Sequence, residues 1–190
     1  MSNGFDVTLP IDGTLADEKR RVHAVRLHMV ESHPFWGYLL LQVRLVEALE
    51  LPTFAATDCL RHVWYNPLLT RHLSISQLGF VLAHEVGHQL LASGFRQQGR
   101  NLHLWNCATD YAINRLVDNI REPGNEYRSL YESPNGTYPE LGKVKILLDR
   151  RFDAMVAEGI YEVLVAEQLP NPENVTISLE VSGADGGTTS

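Results

Sequence analysis

The chain has 190 residues, 44% of them hydrophobic, and a formal net charge of −7 at pH 7. This length suits one well-buried domain, which we expect to span residues 1–168, and it is too short for two comfortable ones. The acidic charge argues against a protein that coats nucleic acid, because no basic stripe exists beyond Lys19-Arg20-Arg21, a run that we interpret as a solvated helix face.

Cysteine content and apolar stretches indicate the compartment. Cys59 and Cys107 form no CxxC pair, so the sequence predicts neither a disulfide framework nor a cysteine zinc site, and we interpret both as small core residues in a reducing compartment. The N-terminus lacks a charged start followed by an apolar run, and no apolar stretch reaches about 18 residues. We therefore expect a cytoplasmic protein that binds no membrane.

Hydrophobic periodicity predicts the elements in chain order. Two helices come first, and two short β-branched or aromatic runs bounded by prolines then predict strands. The predicted elements up to the middle of the chain are helices over 17–32 and 35–50, strands at 53–57 and 62–65, a helix over about 75–93 and a helix containing 104–117. A long loop over 121–140 and a helix over 141–168 follow. Residues 169–190 are expected to form a C-terminal strand, at 175–181, and a glycine-rich tail that is disordered or a linker.

The helix over about 75–93 carries the most informative motif, His84-Glu85-Val86-Gly87-His88. Ser74 and Gln77 have the spacing of a capping box at its start, and Gly94 stands where a helix would end. Two histidines four residues apart lie on one helix face and can share a metal ion, while Glu85 can hold a water against it. This is the HExxH arrangement of zinc metallopeptidases, in which the glutamate takes a proton from water.

The alternative is a pair of surface or core histidines beside a solvated glutamate. Two observations count against it. Val81 and Leu91 make that face apolar, so His84 and His88 without a ligand would be partly buried polar groups. Gly87 costs a helix about 1 kcal/mol relative to alanine, so we expect another segment to approach closely there.

A catalytic zinc ion takes three protein ligands and leaves a fourth position for water. Asn106, Asp110 and Asn114 form a polar stripe at four-residue steps on an otherwise apolar helix, and we expect Asp110 to be the third ligand. Asn106 and Asn114 could orient a ligand or a neighbouring histidine from the second layer around the metal. Alternatively, Asp110 lies on a solvated helix face or pairs with a cation, either Arg115 or Arg100. The other residues that could be the third metal ligand are His103, Glu122 and Glu126.

A phenol on the loop over 121–140 could stabilise the oxyanion of a tetrahedral intermediate. Each loop tyrosine, taken alone, is better explained as packing the loop onto the core. The candidates for an oxyanion or substrate contact are Tyr111, His103 and Tyr131.

These motifs resemble a metallopeptidase domain that in longer bacterial proteins precedes a von Willebrand A-like domain and that also occurs in phages. The similarity covers about residues 17–168, and the matches are Leu82-Ala83-His84-Glu85-Val86-Gly87-His88, the "LWN-A-DYAIN" shape of residues 104–114, Ala56-Thr57-Asp58 and Tyr65-Asn66-Pro67. The resemblance implies a zincin-like fold with His84, His88 and Asp110 as metal ligands and Glu85 as general base. Cys59 departs from the usual glycine and Gly87 from a larger apolar residue, and we expect neither to touch the chemistry.

We therefore expect an α+β, mostly helical, zincin-like domain with a small β-sheet beside the active-site helix. Its function would be peptide-bond hydrolysis with one Zn²⁺, and its partner a protein or peptide substrate. In zincins such a short edge strand lies beside the cleft, where strand addition could bind that substrate. The alternatives are a non-catalytic binding or regulatory module whose metal site is closed by a fourth ligand such as His103, and hydrolysis of a bond other than a peptide.

Overall fold

The computed structural model describes residues 14–122 and 125–167, with the side chains of 122–129 left out. The predicted strand at 175–181 and the tail lie outside these residues. In the described part the helices are α1 (Leu15–Ser32), α2 (Pro34–Leu41), α3 (Pro67–Thr70), α4 (Ile75–Leu90), α5 (Ser93–Arg96), α6 (Leu102–Asp118) and α7 (Ala157–Ala166), and the strands are β1 (Arg44–Glu47), β2 (Ala55–Thr57), β3 (His62–Tyr65), β4 (Arg121–Glu122), β5 (Asn125–Ser129), β6 (Gly136–Tyr138) and β7 (Gly142–Val144).

The predicted α+β class with a small sheet is confirmed. Three strands form this sheet in the order β1-β3-β2, with β1 parallel and β2 antiparallel to β3. β2 is therefore an edge strand, and it contacts α4, which also packs on α1, α2 and α6. No helix among residues 14–122 and 125–167 is long and apolar enough to cross a membrane.

The prediction of one helix over 35–50 is wrong in its second half. α2 ends at Leu41, and Arg44–Glu47 pair in parallel register with His62–Tyr65. The sequence signal misled because Leu39, Val43 and Val46 have helical spacing, yet the segment gains its backbone hydrogen bonds from a strand that lies 18 residues further along the chain.

The segment after α6 also differs from the prediction. Residues 121–140 contain the strands β4, β5 and β6 rather than one long loop; β4 pairs with β5, and β6 pairs with β7, which follows at Gly142–Val144. Residues 142–156 contain β7 and a 3₁₀ turn, so that only Ala157–Ala166 form the expected helix. Buried Val144 and Ile146 alternate with exposed Lys143 and Lys145, which is the two-residue period of a strand.

The predicted capping box at the start of α4 is confirmed. The Ser74 hydroxyl accepts from the Gln77 amide at 3.1 Å, and the Gln77 side chain accepts from the Ser74 amide at 2.9 Å. The helix ends at Leu90, three residues before the predicted boundary, because Ala92 takes a left-handed conformation with φ of 50°. Gly94 therefore lies within the short helix α5 and does not end α4.

A buried ion pair fixes the start of α4. Arg21 pairs with Glu18 at 2.8 Å and donates to the carbonyls of Thr70 and Leu73, at 2.7 and 3.1 Å. The Thr70 hydroxyl in turn donates to Glu18 at 2.8 Å. Lys19 and Arg20 are exposed, but Arg21 is buried, so the interpretation of this basic run as a solvated face is wrong for its last residue.

The predicted close approach at Gly87 is confirmed. A Cβ atom at this position would lie 2.7 Å from Cγ2 of Ile113 on α6. This distance is shorter than a van der Waals contact, so only glycine lets the two helices cross at the observed separation.

We expect Gly87→Ala to lower the free energy of unfolding by up to about 2 kcal/mol, because overpacking costs about 1–3 kcal/mol and the gain in helix propensity offsets about 1 kcal/mol. Gly159→Ala is the matched control, since its Cβ would meet only the flexible end of Met155, at 3.2 Å. Urea denaturation of both variants measures the difference. Equal stability of the two variants would contradict a tight crossing.

Candidate metal centre

Three potential ligands converge between α4 and α6. His84 and His88 approach each other at 3.1 Å between their Nε2 atoms, and Asp110 Oδ1 lies 3.5 Å from His84 Nε2 and 3.2 Å from His88 Nε2. His84 and Asp110 are each 2% exposed. Among the residues that the structure describes, these three form a cluster that could hold a metal ion.

The spacing of these atoms fits a small tetrahedral cation. Zinc–nitrogen and zinc–oxygen bonds of about 2.0–2.1 Å at tetrahedral angles place neighbouring ligand atoms about 3.3 Å apart. The separations of 3.1, 3.2 and 3.5 Å lie on either side of this value. Within the described residues, Asp110 Oδ2 is buried and has no hydrogen-bond partner, and a cation would satisfy this carboxylate.

A neighbouring amide fixes the tautomer of His84. The Leu147 carbonyl can only accept a hydrogen bond, so the group of Asn114 that faces it at 3.1 Å is the amide nitrogen. The carbonyl oxygen of Asn114 therefore faces His84 Nδ1, at 2.7 Å, and Nδ1 donates to it. The lone pair of His84 then lies on Nε2, which faces Asp110 and His88, as a metal ligand requires.

Electrostatics also favour a neutral His84. Burial and the neighbouring His88 lower the pKa of His84 to about 4. Burial acts to lower the pKa of His88 as well, but the hydrogen bond and the negative charge of Asp110 outweigh it, and the net shift is upward. A neutral imidazole is the form that binds metal, so burial prepares His84 for that role.

Glu85 is buried beside the cluster and lines the same cleft. Burial raises the pKa of this carboxyl to about 7. A solvated glutamate, the alternative considered from the sequence, is excluded by its exposure of only 3%. A carboxyl group in this environment can both take up and release a proton near neutral pH.

The cluster lies at the base of a cleft with a volume of about 350 Å³. One wall is the edge strand β2 with the residues on either side of it, from Thr53 to Cys59. Residues of the segment from Ser93 to Asn106 form another wall. The cleft therefore places an exposed strand edge within the same space as the three ligands and Glu85.

The structure separates the two asparagines of the predicted polar stripe. Asn114 contacts His84, as expected for a residue that orients a ligand. Asn106 instead lines the cleft one helical turn before Asp110. The sequence could not distinguish the two, because both lie one turn from Asp110 on the same helix face.

The three residues predicted to contact an oxyanion or substrate do not line this cleft. Tyr111 packs on Phe152 with ring centroids 4.8 Å apart, and His103 lies 3.9 Å from the Cys107 sulfur. Tyr131 is 7% exposed and covers Gly79 on α4. Their aromatic character is used for packing, which was the alternative explanation for the loop tyrosines.

The expectation that Cys59 is a core residue is wrong, whereas the expectation that it does not touch the chemistry stays a prediction. Cys59 is half-buried and lines the cleft, and a Cβ atom at Gly94 would lie 3.5 Å from its sulfur. It has a left-handed backbone with φ of 58°, a conformation that glycine adopts without strain. The sequence did carry a signal for this left-handed position, because Cys59 stands where the family resembled usually has a glycine.

The rival partners of Asp110 are engaged elsewhere. Arg115 binds Asp118 and Asp153 at 3.2 and 2.9 Å. Arg100 lies over the ring of Trp105. The side chains of the two rival ligands after α6, at positions 122 and 126, lie outside the described residues.

We expect Asn114→Ala to weaken metal binding about 10- to 100-fold, because His84 loses the acceptor that holds its proton on Nδ1. Titration of the metal-free protein with Zn²⁺ in the presence of a competing chelator measures this affinity. Leu116→Ala on the same helix serves as the control, since Leu116 is 38% exposed. Equal affinities of the two variants would show that the amide does not orient the ligand.

The comparisons with known proteins agree with the site. No curated protein and no solved structure matches the chain. A family model described as "Putative metallopeptidase domain" matches residues 17–187, which is most of the chain and includes the HExxH motif and Asp110. The resemblance inferred from the sequence is confirmed, and the chain belongs to this metallopeptidase-domain family.

Proposed function

We propose that this protein is a zinc-dependent peptidase with a zincin-like active site. The observation that carries the proposal is the position of Glu85, buried beside three convergent ligands at the base of an open cleft. A site that only stabilised the fold would need no such carboxyl group. Two imidazoles and one carboxylate are a ligand set typical of catalytic zinc.

A zinc ion held by His84, His88 and Asp110 would supply a Lewis acid for the substrate carbonyl and would lower the pKa of water. Glu85 takes the proton from the attacking water and then delivers it to the leaving amine. Its raised pKa supports both transfers, because a carboxyl group with a pKa of about 7 exchanges protons readily near neutral pH.

The walls of the cleft favour an extended peptide as substrate. β2 pairs only with β3 among the described strands, so its other edge can accept a further strand. Leu102, which lines the cleft, is 65% exposed, and Phe95 and Leu60, which each follow a lining residue in the sequence, are 65% and 58% exposed. These groups suit the apolar side chains of a peptide.

The rival proposal, a non-catalytic module, requires a fourth protein ligand. His103 was the candidate, but its ring faces Cys107 and it does not line the cleft. Among the described residues the cluster has three members. A three-ligand cluster open to the cleft supports the enzyme.

We expect Glu85→Gln to retain about one zinc per chain and to lose at least 10²-fold in turnover, since the amide cannot accept the proton. His88→Ala should lose both metal and activity. Elemental analysis and a screen with unstructured protein substrates measure the two properties. Full activity in Glu85→Gln would rule out the assignment of Glu85 as the base.

Strand addition predicts an alternating sensitivity to backbone methylation of the substrate. Every second N–H of an extended peptide faces the β2 edge, so methylation at those positions should raise KM roughly 2- to 10-fold, the loss of one hydrogen bond. Methylation at the intervening positions is the control and should change KM little. A KM that is insensitive at every position would mean that the peptide does not pair with β2.

A further inference from the structure

We propose that the carboxamide of Asn106 donates a hydrogen bond to the carbonyl oxygen of the scissile peptide bond. The proposal rests on the peptidase function above. Asn106 would then contact the substrate rather than orient a metal ligand, the role predicted from the sequence. It would be the oxyanion donor for which Tyr111, His103 and Tyr131 were the candidates.

The position of Asn106 supports this contact. It precedes Asp110 by one turn on α6, so the two side chains share a helix face and their Cβ atoms are about 5–6 Å apart. Asp110 is almost fully buried, whereas Asn106 is half-buried and lines the cleft. A carbonyl oxygen bound next to Asp110 is therefore within reach of the Asn106 amide.

Three other side-chain donors that line the cleft are already committed, and the Ser93 hydroxyl, which has no hydrogen-bond partner among the described residues, is inaccessible to solvent. The Trp105 indole donates to the Ser93 carbonyl at 2.8 Å, the Gln97 amide to the Arg100 carbonyl, and the Thr57 hydroxyl to the His62 carbonyl at 2.9 Å.

The carboxamide of Asn106 is not committed in this way. The Asn106 backbone carbonyl accepts from the Thr109 hydroxyl at 2.9 Å. Within the described part of the chain, the Asn106 side chain has no hydrogen-bond partner. A substrate can therefore use this donor without displacing a protein contact.

The Asn106 amide suits the developing charge. Negative charge grows on the carbonyl oxygen as water attacks, so a fixed donor binds the transition state more strongly than the substrate. The donor is carried by a helix whose next turn is fixed in the core by Asp110 and Ile113. Little reorganisation is needed when the charge appears.

Asn106→Leu tests the proposal, because leucine has a similar shape but no donor and is a better helix former. We expect kcat to fall roughly 10²- to 10³-fold, the typical effect of removing one oxyanion donor, with KM and zinc content changed less than about twofold. Tyr111→Phe tests the rival donor and should leave kcat unchanged, because Tyr111 packs on Phe152 away from the cleft.

A binding measurement provides a readout that does not depend on turnover. A phosphinic peptide carries tetrahedral oxygens that mimic the attacked carbonyl, and its affinity should fall in Asn106→Leu by about the same factor as kcat. The affinity for an uncleaved substrate peptide, measured in the Glu85→Gln background with and without Asn106→Leu, should change less than about twofold, because a neutral carbonyl gains little from the donor.

Three results would overturn the proposal. A kcat within about threefold of the wild type would show that Asn106 makes no such contact. Loss of zinc in Asn106→Leu would instead show that Asn106 helps to hold the metal ion. If the wild type shows no cleavage that depends on Glu85, the peptidase function itself is refuted. This outcome differs from a failure of the Asn106 proposal alone, because the wild type and Asn106→Leu would then both be inactive.

Discussion

The candidate metal centre depends on how closely α4 and α6 cross. Because Gly87 has no side chain, Ile113 can lie against the α4 backbone. The residues on either side of Ile113 then meet the α4 histidines: Asp110 comes within 3.5 Å of both, and Asn114 contacts His84. A wider crossing would leave three polar groups buried without partners, at a cost of several kcal/mol. The packing that holds the domain together is therefore also the packing that assembles the site.

Burial then gives these groups their chemistry. Every residue of α4 from Leu78 to Gly87 is buried, including two ionisable ones. An apolar environment disfavours charge, so His84 is held neutral, as a ligand should be, and the Glu85 carboxyl has a pKa of about 7. In solvent, the same side chains would favour a partly protonated imidazole and a carboxylate of low basicity. The fold thus tunes both groups by desolvation, while Asp110 and, to a smaller extent, Glu85 offer a compensating negative charge to His88.

The cleft walls are fixed by interactions remote from the metal centre. Arg96 pairs with Glu158 on α7, with a hydrogen bond of 2.9 Å from its Nε, and Arg100 lies 4.9 Å above the centroid of Trp105. These contacts hold the segment that leads into Asn106. On the other wall, Asp58 accepts three backbone N–H groups of the turn that follows β2. Both walls of the cleft are therefore held in place by contacts outside the metal-ligand cluster.

Local patterns in the sequence determined much of the site. The capping box and the apolar spacing fix α4 within the chain, and the four-residue steps put His84 next to His88, and Asp110 next to Asn106 and Asn114. Tertiary structure alone decided the rest: that β1 is a strand, that the Leu147 carbonyl orients Asn114, and that Asn106 faces the cleft. Helix caps and helix faces involve residues a few positions apart, so their signal is local. Strand pairing and contacts with a backbone carbonyl join residues far apart in the chain, and the energy that selects them exists only once the two segments meet.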